Sequence, residues 1–195
     1  AHTDGWCYNP VVHQWVKMAN IVPHGRTQAI TLSGSYGIAS GCAHIVFVGG
    51  VNKERFERAV NMPLLIAQAE RACKQQGTHA AQATLAQLQA EQAAYMRHPA
   101  TWYEFNDELV IYHTITDTWV TESQSPLLAR AGAAVVECGH EWIVVNGEVK
   151  PGVRSTDVTA IKMTMRPSFG WLNWVVLIAY LVVMVLLGYY FMKRG

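Results

Sequence analysis

Apolar positions in this chain follow three different rhythms, and each predicts a different element. Two short β-branched runs, Ile45-Val46-Phe47-Val48 and Trp142-Ile143-Val144-Val145, read as buried strands and end on Gly49-Gly50 and on Asn146-Gly147. A strand of small residues comes before each of them, Gly34 to Ser40 and Ala131 to Val136. An aromatic pair at a seven-residue step precedes each of those in turn, Tyr8 with Trp15 and Tyr112 with Trp119. The residues between the two rings are turn-like, so each pair predicts a hairpin whose strands both send a large ring into one core. The same order occurring twice is an internal repeat, with its copies roughly 104 residues apart.

Between the copies the rhythm changes. From Lys53 to about His98, Ala, Gln and Glu replace Val, Ile and Gly, which predicts an inserted helical hairpin. Pro63 is expected in the first turn of a helix that ends near Gly77. A second helix is expected over Ala80 to Arg97, with Ala81, Leu85, Leu88, Gln92 and Tyr95 on one face and Pro99 ending it. The plain expectation is a surface hairpin packed on neighbouring strands. Its exit from Gly49-Gly50-Val51-Asn52 raises a second one, a cover over whatever lies at the end of those strands.

The third rhythm is unbroken apolarity. Trp174 to Met192 gives nineteen residues without a charge, long enough at about 1.5 Å per residue to cross a hydrocarbon core of about 30 Å. Trp171 and Trp174 at one end and Tyr189, Tyr190 and Phe191 at the other suit the two interfaces of a membrane helix. Lys193-Arg194 follows at once, whereas Lys162 and Arg166 stand farther off before it. This favours a cytoplasmic C-terminus, with the preceding residues on the periplasmic or outer face.

Composition removes several classes of function. Net charge is +1, with no basic run longer than Lys193-Arg194, so no nucleic-acid surface is indicated. Four cysteines stand far apart without a C-x-x-C pair, and eight histidines show no H-x-x-x-H spacing. Neither a metal site nor a disulfide scaffold is expected.

What remains is the turn from Asn146 to Arg154. It leaves a buried strand carrying an acid, Glu148, and two cations, Lys150 and Arg154, on a segment shaped by Gly147, Pro151 and Gly152. Spacing alone is satisfied by a solvated turn with an internal ion pair. Acid and fixed cation together also suit an anionic substrate that needs a proton moved.

The run VNGEVKPGVRSTDV, preceded by AGAAVV at Ala131 to Val136, resembles the signature of the kelch-type N-acetylneuraminate mutarotases, or epimerases, over about Trp6 to Ile161. The paired glycines and the spaced Tyr and Trp likewise resemble the kelch blade, a four-stranded sheet of a β-propeller. Asn146-Gly147 departs from the glycine pair at its first position. The fold this implies is all-β: a partial propeller of about two blades over 1–163 with the helical insertion at about 53–98, a linker at 164–170, and one transmembrane helix over 171–195.

The resemblance also implies a function. Glu148 and Arg154 become the catalytic pair for anomer interconversion of sialic acid, with Arg154 also holding the substrate carboxylate. Asn52 and Arg130 become substrate-binding candidates, and Tyr36, opening a small-residue strand, becomes a candidate to face a ligand. No cofactor is implied. The last segment, Phe169-Gly-Trp-Leu-Asn-Trp onward, resembles the opening helix of sodium:solute symporters. Such a fusion implies an inner-membrane protein with a sodium ion as partner of the transporter part. Two other readings stay open, a non-catalytic propeller module that captures sialate for a symporter and a kelch interaction domain on a membrane anchor.

Overall fold

The computed structural model describes residues 1–139, 141–162 and 170–194, which separate into two units, 1–162 and the residues that follow. In the first unit the short β-branched runs do form strands. β1 (Trp6–Asn9) and β2 (Gln14–Lys17) pair as a hairpin. β3 (Tyr36–Ser40), β4 (His44–Val48), β5 (Glu108–His113) and β6 (Thr118–Gln124) form a four-stranded antiparallel sheet in that order. β7 (Ala134–Cys138), β8 (Glu141–Val145) and β11 (Val158–Lys162) form a three-stranded sheet with β8 in the middle. Between β8 and β11 sits a small hairpin, β9 (Glu148–Lys150) with β10 (Val153–Arg154). The edge strands β3 and β7 touch, so the two sheets meet at their first strands.

Both aromatic pairs occupy the expected register. Tyr8 lies opposite Trp15 and Tyr112 opposite Trp119, with ring centroids 5.1 and 4.6 Å apart. Each tyrosine hydroxyl also meets the residue five positions on, at the left-handed corner of its own hairpin. Tyr8 reaches His13 Nδ1 at 2.7 Å, and Tyr112 donates to Asp117 at 2.8 Å. Burial separates the copies, and here the expectation of one shared core needs correcting. Tyr112 and Trp119 join Ile21 and Val110 in a core cluster, whereas Tyr8 and Trp15 are 43% and 65% exposed. The reason is local. β5 has β4 on its other side, while β1 and β2 pair only with each other among the described residues.

The insertion is a helical hairpin with boundaries that differ from the sequence reading. α1 runs over Lys53–Gln76, capped at its start by the Asn52 side chain accepting from Arg55 N, and at its end by Gly77 at φ 59°. Pro63 therefore lies in the helix interior, where it removes one intrahelical hydrogen bond, and not in a first turn. α2 runs over His79–Tyr95 behind a Thr78 cap. Gln92 is exposed, and Glu91 beside it faces α1, accepting hydrogen bonds from Arg58 Nε and Nη2 at 2.8 and 2.7 Å.

In the second unit α3 (Trp171–Arg194) is the one helix among the described residues long and apolar enough to cross a membrane, with a span at Trp171–Lys193 of mean hydropathy 2.5. Its twenty-four residues cover about 36 Å. Residues 164–169 of the expected linker lie outside the described residues; Gly170 O accepts the amides of Asn173 and Trp174 at the start of α3.

Burial, then the hydrogen bond to Asp117, push the Tyr112 phenol up to about 12. An unfolded tyrosine ionises near 10. The folded chain thus holds this proton more tightly, and the stability linked to it is complete below pH 10 and lost as pH rises through 12. In detergent, the urea midpoint should fall over that window, and Tyr112→Phe should fall less. Equal slopes for the two proteins would refute the linkage.

Candidate functional site

The two turns that end β4 and β8 share one hydrogen-bonding plan. After the first, Val51 N donates to Ser33 O at 2.9 Å and Asn106 N to Gly50 O at 2.9 Å. After the second, Glu148 N donates to Ala131 O at 2.7 Å and Ser155 N to Gly147 O at 2.8 Å. The backbone angles match as well. Gly49 and Gly50 lie at φ 71° and 115°, Asn146 and Gly147 at 59° and 92°. Asn146 thus takes over the first glycine's left-handed conformation, which asparagine tolerates better than other side chains. At Gly49 a substitution is further barred by space, since a Cβ would stand 2.1 Å from the Arg130 carbonyl. It follows that the helical hairpin leaves from the same place in its sheet as the Glu148–Arg154 hairpin does in the next.

Glu148 is fixed through its backbone, because its carbonyl also accepts from Ala131 N at 2.9 Å. Arg154 is its cross-strand partner, with Val149 as the unpaired extra residue of a bulge between β9 and β10. The structure thus brings the predicted pair together. They form no ion pair within 4.0 Å among the described residues; Glu148 is half-buried and Arg154 exposed. Lys150 has a definite task, reaching over to the turn just past α2, where its Nζ donates to His98 O at 3.2 Å and Met96 O at 3.5 Å.

Glu148 opens into a cavity of about 540 Å³. The helical hairpin supplies much of its wall, with Arg55, Phe56 and Val60 from α1 and Tyr95 from α2 facing Ala131 and Glu148 across it. Asn52, expected to touch substrate, lines the same cavity while capping α1 and donating to Glu104 at 3.3 Å. The insertion and the acid therefore line one cavity. Tyr95 and Tyr103 both have phenols raised above the ordinary tyrosine value, chiefly by burial.

Arg130 behaves differently from the expectation. It is 2% exposed, and its guanidinium donates to Asn146 O at 3.3 Å, Asp157 O at 2.8 Å and Thr159 Oγ1 at 2.8 Å. Those partners bind the second turn to β11 and take up the side chain that was expected to face a ligand. Tyr36 is 40% exposed at the start of β3 and does not line the Glu148 cavity. Sequence reading passed over Arg55, whose partner Trp102 lies 47 positions further on and whose only local signal is its place three residues after an asparagine cap.

Comparison with known proteins gives the family. A model of the N-acetylneuraminate epimerase family matches residues 2–180. The chain belongs to that family. An N-acetylneuraminate epimerase of Haemophilus influenzae (strain PittEE) is 31% identical over 163 residues, which is 84% of this chain and 38% of the relative. One from Salmonella typhimurium (strain LT2) is 28% identical over 172 residues, 88% of this chain and 39% of its own. The chain thus spans about two fifths of the length of these epimerases. Among solved structures, that of YjhT is similar with a TM-score of 0.61 and 24% identity, covering 85% of this chain and 42% of that one. This likeness supports kelch-like propeller blades for the antiparallel sheets, and two of them do not close a ring.

Replacing Arg130 by Met removes three charge-assisted contacts and leaves two carbonyls and a hydroxyl unpaired. A loss on the order of 3 kcal/mol in chemical denaturation is expected. An unchanged midpoint would mean that Arg130 does not hold the turn.

Proposed function

We propose that the chain is the acid-bearing part of a sialic acid mutarotase, an isomerase interconverting the anomers of N-acetylneuraminate. The observation that carries this is Glu148, held by both backbone groups and lining a cavity, beside Arg154, in a chain of the epimerase family. Mutarotation breaks the bond between the anomeric carbon and the ring oxygen and then remakes it on the other face. One proton leaves the anomeric hydroxyl and one reaches the ring oxygen, so nothing is consumed. A single carboxylate can accept the first and return the second, with general acid–base help typically worth about 10²–10⁴-fold. Glu148 takes that role. Arg154 draws in the substrate carboxylate with a planar fork that lysine lacks. No step calls for a metal or a cofactor.

The proposal includes the membrane. α3 would span the inner membrane with Lys193 at its cytoplasmic end and the blades on the periplasmic side, and the resemblance of its sequence to a first symporter helix supports fusion to a sodium-coupled transporter of the same sugar acid. On this reading the enzyme sets the anomer at the entrance of the transporter.

The test is the approach of freshly dissolved N-acetylneuraminate to anomeric equilibrium, followed by proton NMR with the protein in detergent. Glu148→Gln should remove most of the acceleration, at least about a hundredfold, while sialate still binds. Wild-type rates in Glu148→Gln would sink the acid–base assignment. Saturable binding without acceleration by the wild-type chain would instead make it a capture module for the transporter.

A further inference from the structure

Among the described residues that line the Glu148 cavity, Arg55 is the single cation, and it comes from the helical hairpin. It sits one turn into α1, its own amide donating to the Asn52 cap at 3.1 Å. The guanidinium lies 4.2 Å from the centroid of the Trp102 ring, and Trp102 is in turn stacked on His98 at 4.0 Å. Stacking of this kind fixes the plane of the fork and leaves its edge free to bind.

That edge already points at a carboxylate. One terminal nitrogen of Arg55 is 3.7 Å from Glu104 Oε1, while Asn52 Nδ2 donates to Oε2 of the same group at 3.3 Å. Two donors from one helix start thus converge on a single carboxylate. The grip is loose, since charge-assisted contacts close to about 2.7–2.9 Å. The Glu104 side chain is also 57% exposed, so it can swing into water at little cost.

We propose that Arg55, with Asn52 beside it, is the carboxylate-recognising residue of this cavity and determines its preference for a sugar acid over a neutral sugar. The inference rests on the epimerase reading and deepens it. Substrate carboxylate displaces Glu104 from Arg55, so the inserted helix supplies the cation that the rest of the cavity lining lacks. Phe56 and Val60, on the same helix, offer apolar wall to the acetamido methyl and the ring C–H face. The inserted helices then contribute recognition as well as wall.

Arg55→Gln and Arg55→Lys in the full chain, in detergent, test this by titration with N-acetylneuraminate and with its neutral C1 amide. The wild type should favour the acid. Arg55→Gln should lose about tenfold or more in affinity for the acid and stay within about twofold for the amide, and Arg55→Lys should keep part of the preference. Unchanged acid binding in Arg55→Gln, or equal losses for acid and amide, would overturn the role of Arg55 while leaving the epimerase reading standing. A wild-type chain that binds neither ligand would overturn both.

Discussion

Arg130 holds the two sheets to their turns from both of its ends. Its carbonyl accepts Gly50 N at 2.8 Å, tying the first sheet's turn to the second sheet, and its guanidinium closes the second turn onto Asp157 and Thr159. A buried cation is costly unless every donor finds a partner, and here carbonyls and a hydroxyl supply them without a neutralising acid. The next residue, Ala131, exchanges both backbone hydrogen bonds with Glu148. The acid's place is therefore set by backbone contacts next to the most buried charge of the unit. The price is rigidity in sequence, for neither Gly49 nor Gly147 leaves space for a Cβ against this residue.

One turn plan carrying two contents accounts for the site. In the first sheet the segment between β4 and β5 expands into α1 and α2; in the second, the segment between β8 and β11 stays a short hairpin with the acid at its start. Because the sheets meet at β3 and β7, the long insertion and the short hairpin become neighbours, and Lys150 joins them at the end of α2. The cavity forms between the two contents of equivalent turns. Loops on a rigid scaffold can diverge in this way without disturbing the strands that bear them.

Much of this was legible because it is local. The Tyr and Trp step fixes a hairpin whether or not its rings are buried, as β1–β2 and β5–β6 show by sharing register and corner contact at very different exposure. Strand ends were marked by glycines that need a left-handed backbone; Asn146, which departs from the glycine pair in sequence, proves to keep the first glycine's left-handed angle. The start of α1 was not, since Pro63 suggested a later beginning while the Asn52 cap and the charged turn behind it gave a weaker signal. Arg130 and Arg55 were misplaced or missed for the same reason. Their partners, Asp157 with Thr159 and Trp102 with Glu104, lie tens of residues away and carry no period.

These arginines also show why a cation's role follows from what its surroundings leave undone. Arg130 has all its contacts inside the fold at short distance and little exposure, so removing a ligand changes nothing for it. Arg55 is held in plane by an aromatic ring but paired at 3.7 Å with an acid that water can take back. Arg154 lies opposite Glu148 with its side chain exposed and no ion pair among the described residues. On the proposed reading a substrate carboxylate would gain nothing from the first and most from the other two, because incoming charge is rewarded where a fork is still short of partners. Glu148 lies on the same hairpin as Arg154 and lines the same cavity as Arg55. On the proposed reading, the group that would move the proton shares its hairpin with one of these cations and its cavity with the other.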